Sequence, residues 1–226
     1  MNFSIIIPVY NEQENISILV SEIQETLSNF KKNFEIIIVD DGSKDDTLKI
    51  VNNLNQSNIK IIQNLNNHGQ SYSIKVGINN ANYSTIITID GDLQNNPADI
   101  PKMLSIYIDN DFKLVGGIRK NRKDNKIKLI SSFFANYIRK TILKDDCIDT
   151  GCSLKIFDKQ VFLSFPYFDG MHRFLPALFK GFGHKTFFID VDHRRRYKGF
   201  SKYGTLSRLY WGIRDIYKVL KIIKNK

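Results

Sequence analysis

The sequence predicts an α/β fold, in which helices cover both faces of a mostly parallel sheet. Near-continuous apolar runs, typical of strands buried on both faces, alternate with segments whose apolar residues recur at helical spacing. The length of 226 residues, with 42% hydrophobic and 25% charged residues, suits one main globular domain. Ligands of such folds bind outside the carboxyl ends of the strands, so residues that follow strands are the first candidates for a site.

The first elements follow in order along the chain. Phe3–Val9 is an apolar run, and the apolar residues from 16 to 30 then mark one face of a helix. Residues 34–39 form the next strand. Ser43, with Asp46 three residues later, resembles a capping box that opens a second helix.

The alternation then continues. Residues 59–62 and 85–89 read as strands, and residues 71–81 between them as a helix. Asn96 and Pro97 suit the N-cap and first position of a helix that continues through residue 108.

Two acidic pairs stand at the ends of predicted strands. Asp40-Asp41 ends the second strand, and Asp90-Gly91-Asp92 follows residues 85–89. Two carboxylates one residue apart can hold a hard divalent cation and leave coordination positions to substrate phosphates. A polar turn is the alternative for a lone Asp-Gly-Asp, but two such strand ends favour one shared metal site. An EF-hand is excluded, because Asn95 stands where its loop glycine belongs.

The net charge of +10 is unevenly divided. Residues 1–113 contain 8 Lys and no Arg against 14 acidic residues, a net charge of −6. Residues 114–226 contain the other 25 basic residues against 9 acidic ones, a net charge of +16. Because every arginine lies in this half, and the planar guanidinium grips phosphate, the division predicts a metal-binding half and a phosphate-binding half.

Other features exclude several classes. The first strand runs into residues 8–12 without a glycine-rich turn, which argues against a dinucleotide-binding dehydrogenase, and a P-loop is missing. No apolar run approaches the roughly 18 residues of a membrane span, and no signal peptide opens the chain. We therefore expect a cytoplasmic protein. Cys147 and Cys152 lack metal-ligand spacing and are expected to be buried thiols.

Several motifs together resemble a known family. Residues 7–12, residues 39–43 and Asp90-Gly91-Asp92-Leu93-Gln94 are similar to the donor-site motifs of family-2 inverting glycosyltransferases. Arg119 and the segments 149–152, 172–176 and 193–203 are similar to the dolichol-phosphate mannosyltransferase branch. The resemblance implies a Rossmann-like glycosyltransferase A-type fold, a nucleotide-sugar donor of the GDP-mannose or UDP-glucose type, Mg²⁺ or Mn²⁺, and a polyprenyl (dolichyl or undecaprenyl) phosphate acceptor.

The resemblance also implies roles for single residues. The metal would be held by Asp90, Asp92 and Gln94, and the acceptor phosphate by Arg119, Lys128 and Ser132. Asp92, Arg119 and Asp149 would be catalytic; Asp149 could orient a basic residue, act on the acceptor or be structural. Lys128 departs from the arginine expected there. The donor would be surrounded by Pro8, Tyr10, Glu12, Asp41, Asp90, Gln94, Arg196 and Lys202, although Tyr10 could be a core residue and residues 194–202 a solvated charge run.

The chain is predicted to divide into a catalytic domain, residues 1–204, and a basic amphipathic helix, residues 205–226. The catalytic domain comprises a donor half, residues 1–118, and an acceptor half, residues 119–204. Residues 127–138 and 206–220 combine apolar helical faces with Lys and Arg, as interfacial helices do. Docking on the protein's own core is the alternative. Many relatives continue into membrane helices, and this chain ends at residue 226, so we expect peripheral contact with the cytoplasmic face of an anionic membrane.

Other activities would use parts of the same sequence. A nucleic-acid-binding module would explain the basic half but not the acidic strand ends, and no nucleic-acid motif is recognised, so no nucleic-acid partner is expected. A nucleotidyltransferase would also use carboxylates after a parallel strand. A glycosyltransferase with a non-lipid acceptor also stays open.

Overall fold

The computed structural model describes residues 1–30, 33–54, 56–120, 139–195 and 205–226, with side chains from residue 214 onward in the last range. Seven strands form one sheet in the order β3-β2-β1-β4-β6-β5-β7. Strand β6 is antiparallel to both of its neighbours, and the other pairs are parallel. The mostly parallel sheet is confirmed. Its strands are β1 (Phe3–Val9), β2 (Phe34–Asp40), β3 (Ile59–Gln63), β4 (Thr85–Thr88), β5 (Leu114–Arg119), β6 (Lys155–Asp158) and β7 (Thr186–Val191).

Successive strand residues point to opposite sides of the sheet, so an apolar strand has apolar side chains on both faces. Helices cover both of these faces. Ile5 and Ile7 of β1 belong to one buried apolar cluster, and Ile6 between them belongs to the other. Helices α1, α2 and α4 contribute to the first cluster, and α3, α5, α6 and α7 to the second. The helices are α1 (Ile16–Leu27), α2 (Thr47–Asn52), α3 (Gln70–Asn79), α4 (Ile100–Asp109), α5 (Lys159–Ser164), α6 (Leu175–Gly181) and α7 (Thr205–Lys224).

The capping box predicted at Ser43 and Asp46 is wrong. Helix α2 begins at Thr47, and its N-cap Asp46 makes no side-chain capping bond. The Ser43 hydroxyl instead accepts the backbone N–H of Asn11 at 2.9 Å, which joins the loops after β1 and β2. Asp45 accepts the N–H of Thr47 at 3.0 Å. A long-range contact at the sheet edge therefore replaces the local cap.

The start of α4 and the end of α1 differ slightly from the prediction. Asn96 accepts the N–H of Ala98 at 3.1 Å, as predicted for a cap, but the turn it caps is a short 3-10 helix, Pro97–Asp99, that leads into α4. Helix α1 ends before Phe30, whose ring still packs edge-on against Phe3 at 5.9 Å. The predicted apolar contact is kept without helical geometry.

The C-terminal helix packs against the rest of the protein through side chains in its described part, from residue 214 onward. Val219 is fully buried, and the Asp215 carboxylate pairs with the guanidinium of Arg173 at 3.2 Å. A Cβ added at Gly181 would lie 2.5 Å from Ile223, so the helix approaches the α6 backbone closely. The contacts of Asp215, Val219 and Ile223 match the core-docking alternative for one face of this helix.

The remaining predictions have mixed outcomes. The side chains of residues 205–213 and the segment 127–138 lie outside what is described. Among the described residues, no helix combines the length and apolar character that a membrane crossing requires. Both Cys147 and Cys152 are buried and free, as predicted.

Candidate active site

A cavity of about 130 Å³ opens where the carboxyl ends of β1, β2 and β4 meet. This is the edge at which open α/β sheets bind ligands. Six residues assigned to the donor or metal by resemblance line this cavity together. They are Pro8, Tyr10, Glu12, Asp41, Asp90 and Asp92.

The turn after β4 is tightly constrained. A Cβ at Gly91 would lie 2.8 Å from Val9, so glycine is required for the close approach to β1. Leu93 has a φ of 62°, a left-handed conformation that is unfavourable for a bulky side chain. The N–H of Gln94 donates to Asp92 at 3.1 Å, which closes the turn around the second carboxylate.

The two carboxylates of this turn are electrostatically crowded. Burial and the neighbouring Asp92 raise the pKa of Asp90 to about 7, against the opposing effects of Ser153, Lys155 and Arg119. Two like charges in one turn favour a cation between or beside them.

A divalent cation fits the chemistry of this turn. Within the described ranges, no three or more His, Cys, Asp or Glu side chains are grouped to hold a metal. Mg²⁺ commonly binds through one or two carboxylates and takes its other ligands from phosphates and water, which is what Asp90 and Asp92 could provide. Gln94 contributes main-chain contacts to the turn: its N–H meets Asp92, and its carbonyl accepts the N–H of Arg194 at 2.8 Å.

Asp41 organises the wall of the cavity beside β2. Its carboxylate accepts the side-chain amide of Asn64 at 2.8 Å and the backbone N–H groups of His68 and Gly69 at 3.1 and 2.7 Å. These bonds fix the loop between β3 and α3 against the end of β2. The preceding Asp40 is fully buried and accepts the backbone N–H of Ser43 at 3.2 Å within its own turn.

Arg119 and Asp149 form a bidentate ion pair. The guanidinium Nε and Nη2 donate to the two carboxylate oxygens at 2.7 and 2.8 Å, and the Arg119 backbone N–H donates at 3.1 Å. A Cβ at Gly151 would lie 2.8 Å from Nη2, so the glycine leaves room for this pair. Three roles were considered for Asp149, and this geometry agrees with the one in which Asp149 orients a basic residue.

The predicted basic segment is described only in part. Arg194 is not a solvated charge, because its guanidinium binds Glu22 at 2.8 Å and Asn96 at 2.6 Å. It therefore fixes the segment directly after β7. Four residues assigned by resemblance lie outside the described residues: Lys128, Ser132, Arg196 and Lys202.

Two polar contacts at the site were missed from the sequence. The side-chain amide of Gln70 donates to Asp90 Oδ1 at 2.6 Å. Ser153 Oγ accepts the Asp90 N–H at 3.2 Å and donates to Asn95 at 2.6 Å. Neither residue belongs to an acidic or basic pattern, and their partners are 20 and 63 residues away along the chain. The one available signal was the Gly69-Gln70 turn directly before a predicted helix.

Solved structures with the same arrangement of elements define the class of fold. Glucosyl-3-phosphoglycerate synthase from Mycobacterium tuberculosis, in complex with Mn²⁺, UDP and phosphoglyceric acid, matches with a TM-score of 0.74 over 97% of this chain and 77% of its own, at 14% identity. Mannosyl-3-phosphoglycerate synthase from Rubrobacter xylanophilus matches with a TM-score of 0.73 over 96% and 73%, at 12% identity. The fold is the glycosyltransferase A type.

Sequence comparison gives the family. The model of glycosyl transferase family 2 matches residues 4–165, and the chain belongs to this family of glycosyltransferases. It is 35% identical to a dodecaprenyl-phosphate galacturonate synthase of Rhizobium johnstonii, over all of this chain and 68% of the relative. It is 32% identical to an undecaprenyl-phosphate 4-deoxy-4-formamido-L-arabinose transferase of Pectobacterium carotovorum, over 91% of this chain and 64% of the relative. The chain thus spans about two thirds of the length of these relatives.

Proposed function

We propose that the protein transfers a sugar from a nucleotide-sugar donor to a polyprenyl phosphate, with inversion at the anomeric carbon and with a divalent metal. The observation that carries the proposal is the crowded Asp90 and Asp92 pair in the donor cavity, beside a second, arginine-containing site. The relatives' names, which pair polyprenyl phosphates with galacturonate or 4-deoxy-4-formamido-L-arabinose, support the acceptor class.

The donor half is suited to bind a nucleoside diphosphate. Asp90 and Asp92 would hold Mg²⁺ or Mn²⁺ against the diphosphate, and Asp41 would support the wall that encloses the nucleoside. A bound metal neutralises charge that develops on the leaving diphosphate. Tyr10 and Glu12 line the same cavity, which supports their proposed contact with the nucleoside.

The acceptor half is suited to hold a phosphate. The phosphate oxygen of the lipid attacks the anomeric carbon, the bond from that carbon to the diphosphate oxygen breaks, and the nucleoside diphosphate departs. Because the phosphate is already anionic at neutral pH, the reaction requires positioning more than deprotonation. Asp149 contacts Arg119 with both carboxylate oxygens, which supports a role in aiming the guanidinium at the phosphate.

The acceptor implies a membrane surface, and we propose peripheral contact with the cytoplasmic leaflet. Lys and Arg near an anionic leaflet contribute about 1 kcal/mol each, an attraction that salt screens. Among its described side chains, the C-terminal helix exposes Arg214, Tyr217, Lys221 and Lys224, while Val219 faces the core. Release of the protein from anionic liposomes by salt would support this contact, and salt-independent binding would oppose it.

One screen tests the proposed activity. The full chain is incubated with undecaprenyl phosphate and one labelled nucleotide sugar at a time, and the lipid is extracted. The panel contains GDP-mannose, UDP-glucose and nucleotide forms of galacturonic acid and 4-deoxy-4-formamido-L-arabinose. Labelled lipid, formed by wild type and lost with Asp92→Asn, is the expected result. Transfer to soluble acceptors alone would instead favour a glycosyltransferase with a non-lipid acceptor, and pyrophosphate release from a nucleoside triphosphate would favour a nucleotidyltransferase.

A further inference from the structure

The first turn of helix α3 is fixed on both sides of Gln70. The N–H of Gly69 donates to Asp41 at 2.7 Å, at the end of β2. Gly69 has a φ of 91°, a conformation that strongly favours glycine. On the other side, Ser71 Oγ lies 2.6 Å from Nδ1 of His172, in the C-terminal half. Gln70 is therefore presented by a turn whose two neighbours are bound to different parts of the molecule.

The side chain of Gln70 reaches the carboxylate that follows β4. Its amide nitrogen donates to Asp90 Oδ1 at 2.6 Å, and Gln70 also lines the donor cavity. A neutral amide donor differs from Lys or Arg in one respect: it fixes a carboxylate without cancelling the negative charge that attracts a cation. The neighbouring Asp92 repels the same carboxylate, and the hydrogen bond from Gln70 opposes its displacement.

We propose that Gln70 is a positioning residue of the metal site, which holds the Asp90 carboxylate in the orientation that a divalent cation requires. This inference rests on the metal dependence proposed above. Gly69 and Ser71 hold the turn in place, and Gln70 transmits that rigidity to the carboxylate. Removal of the amide should weaken metal binding while the fold and the reaction at saturating metal persist.

The test compares wild type with Gln70→Met, which keeps the length and loses the donor, and Gln70→Asn, which keeps the amide and shortens its reach. Gln160→Met, at an exposed glutamine on α5, is the matched control. Mn²⁺ binding is measured by electron paramagnetic resonance of free Mn²⁺ in the presence of UDP. Turnover is measured over a range of Mn²⁺ concentrations, and folding by thermal unfolding.

Both Gln70 variants should bind Mn²⁺ about tenfold more weakly, on the scale of losing a hydrogen bond to a charged group. Their turnover should return to within about twofold of wild type at saturating Mn²⁺. A folded Gln70 variant with wild-type Mn²⁺ affinity, or one whose lost turnover excess Mn²⁺ does not restore, would overturn the proposal. If wild type itself does not bind Mn²⁺, the metal dependence of the proposed function fails as well, so the two failures are distinguishable.

Discussion

Carboxylates at the two ends of the sheet occupy opposite environments. At the amino end, Glu35 accepts the hydroxyl of Ser4 at 2.6 Å and the backbone and side-chain N–H groups of Asn82 at 2.6 and 2.7 Å. At the carboxyl end, Asp90 lies beside Asp92, and its pKa is raised to about 7 by burial and by that neighbour. Glu35 accepts three hydrogen bonds from neutral donors, whereas Asp90 accepts the Gln70 amide and is also placed against a like charge.

We interpret the difference as a division between a residue that stabilises the fold and residues that we propose to serve a ligand. A buried carboxylate with neutral donors joins β1, β2 and the segment before β4. Two adjacent carboxylates cost stability in the free protein, and such costs are characteristic of functional sites. Mutations at the amino end should therefore change stability, and mutations at the carboxyl end should change activity.

The largest effect is expected from Asp92→Asn, which removes a charge and preserves the shape. Turnover should fall by at least about 100-fold, the scale of one well-placed electrostatic stabiliser. The melting temperature should stay equal or rise, because the repulsion with Asp90 is relieved. Steady-state kinetics and thermal unfolding measure both, with the exposed Asp111→Asn as control. Wild-type turnover in Asp92→Asn, or full activity of wild type in excess chelator, would remove the contrast between the two ends.

Arg119→Ala tests whether the carboxyl end of the sheet has separate residues for the acceptor and for the donor. Loss of a charge-assisted contact should cost a few kcal/mol of transition-state stabilisation, measured as a lower kcat/KM for the lipid phosphate. The KM for the donor should change little. Arg196→Ala, at a residue assigned to the donor diphosphate by resemblance, should show the converse. Titration of each variant with each substrate measures the kinetic constants for acceptor and donor separately. Equal effects on both substrates would contradict the assignments.

Glu35→Met tests the amino end. The variant keeps the side-chain length but leaves the donors of Ser4 and Asn82 without an acceptor, at an expected cost of about 1 to 3 kcal/mol in unfolding free energy. Activity per folded molecule should equal that of wild type. Denaturant unfolding at constant m-value measures the cost. A specific loss of turnover without loss of stability would mean that the two ends do not divide the roles.

His172 gives a pH-dependent effect on stability. Burial and the charges of Arg173 and Lys155 lower its pKa from 6.5 to about 3, so the folded protein keeps the ring neutral beside Ser71. Below pH 6.5 the unfolded chain binds a proton that the folded chain excludes, so stability should fall as pH falls, by up to about 1.4 kcal/mol per pH unit. His172→Asn should lack this part of the slope between pH 6 and 4 in urea unfolding. Parallel profiles for the two proteins would contradict the neutral histidine.

The sequence was most informative where the physical signal is local. Apolar periodicity identified β1 to β4 and the mostly parallel sheet, and the acidic strand ends identified the carboxyl edge that the structure joins into one cavity. The Ser43 capping box failed because the hydroxyl bonds to Asn11, 32 residues away. Gln70 and Ser153 were missed for the same reason, since their roles come from contacts between distant segments. Asp149, 30 residues from Arg119, was named by resemblance, with orientation of a basic residue as one of its possible roles, but the sequence did not identify Arg119 as its bidentate partner.

Mn²⁺ titration of wild type, Asp92→Asn and Glu35→Met, monitored by calorimetry in the presence of UDP, most directly tests whether the crowded carboxylates at the carboxyl end hold a metal. Wild type and Glu35→Met should bind one Mn²⁺ per chain with the same affinity. Asp92→Asn should bind at least about 100-fold more weakly, because a charged ligand is replaced by a neutral one. Equal Mn²⁺ affinity of Asp92→Asn and wild type, or no binding by wild type, would contradict the assignment of this turn as the metal site.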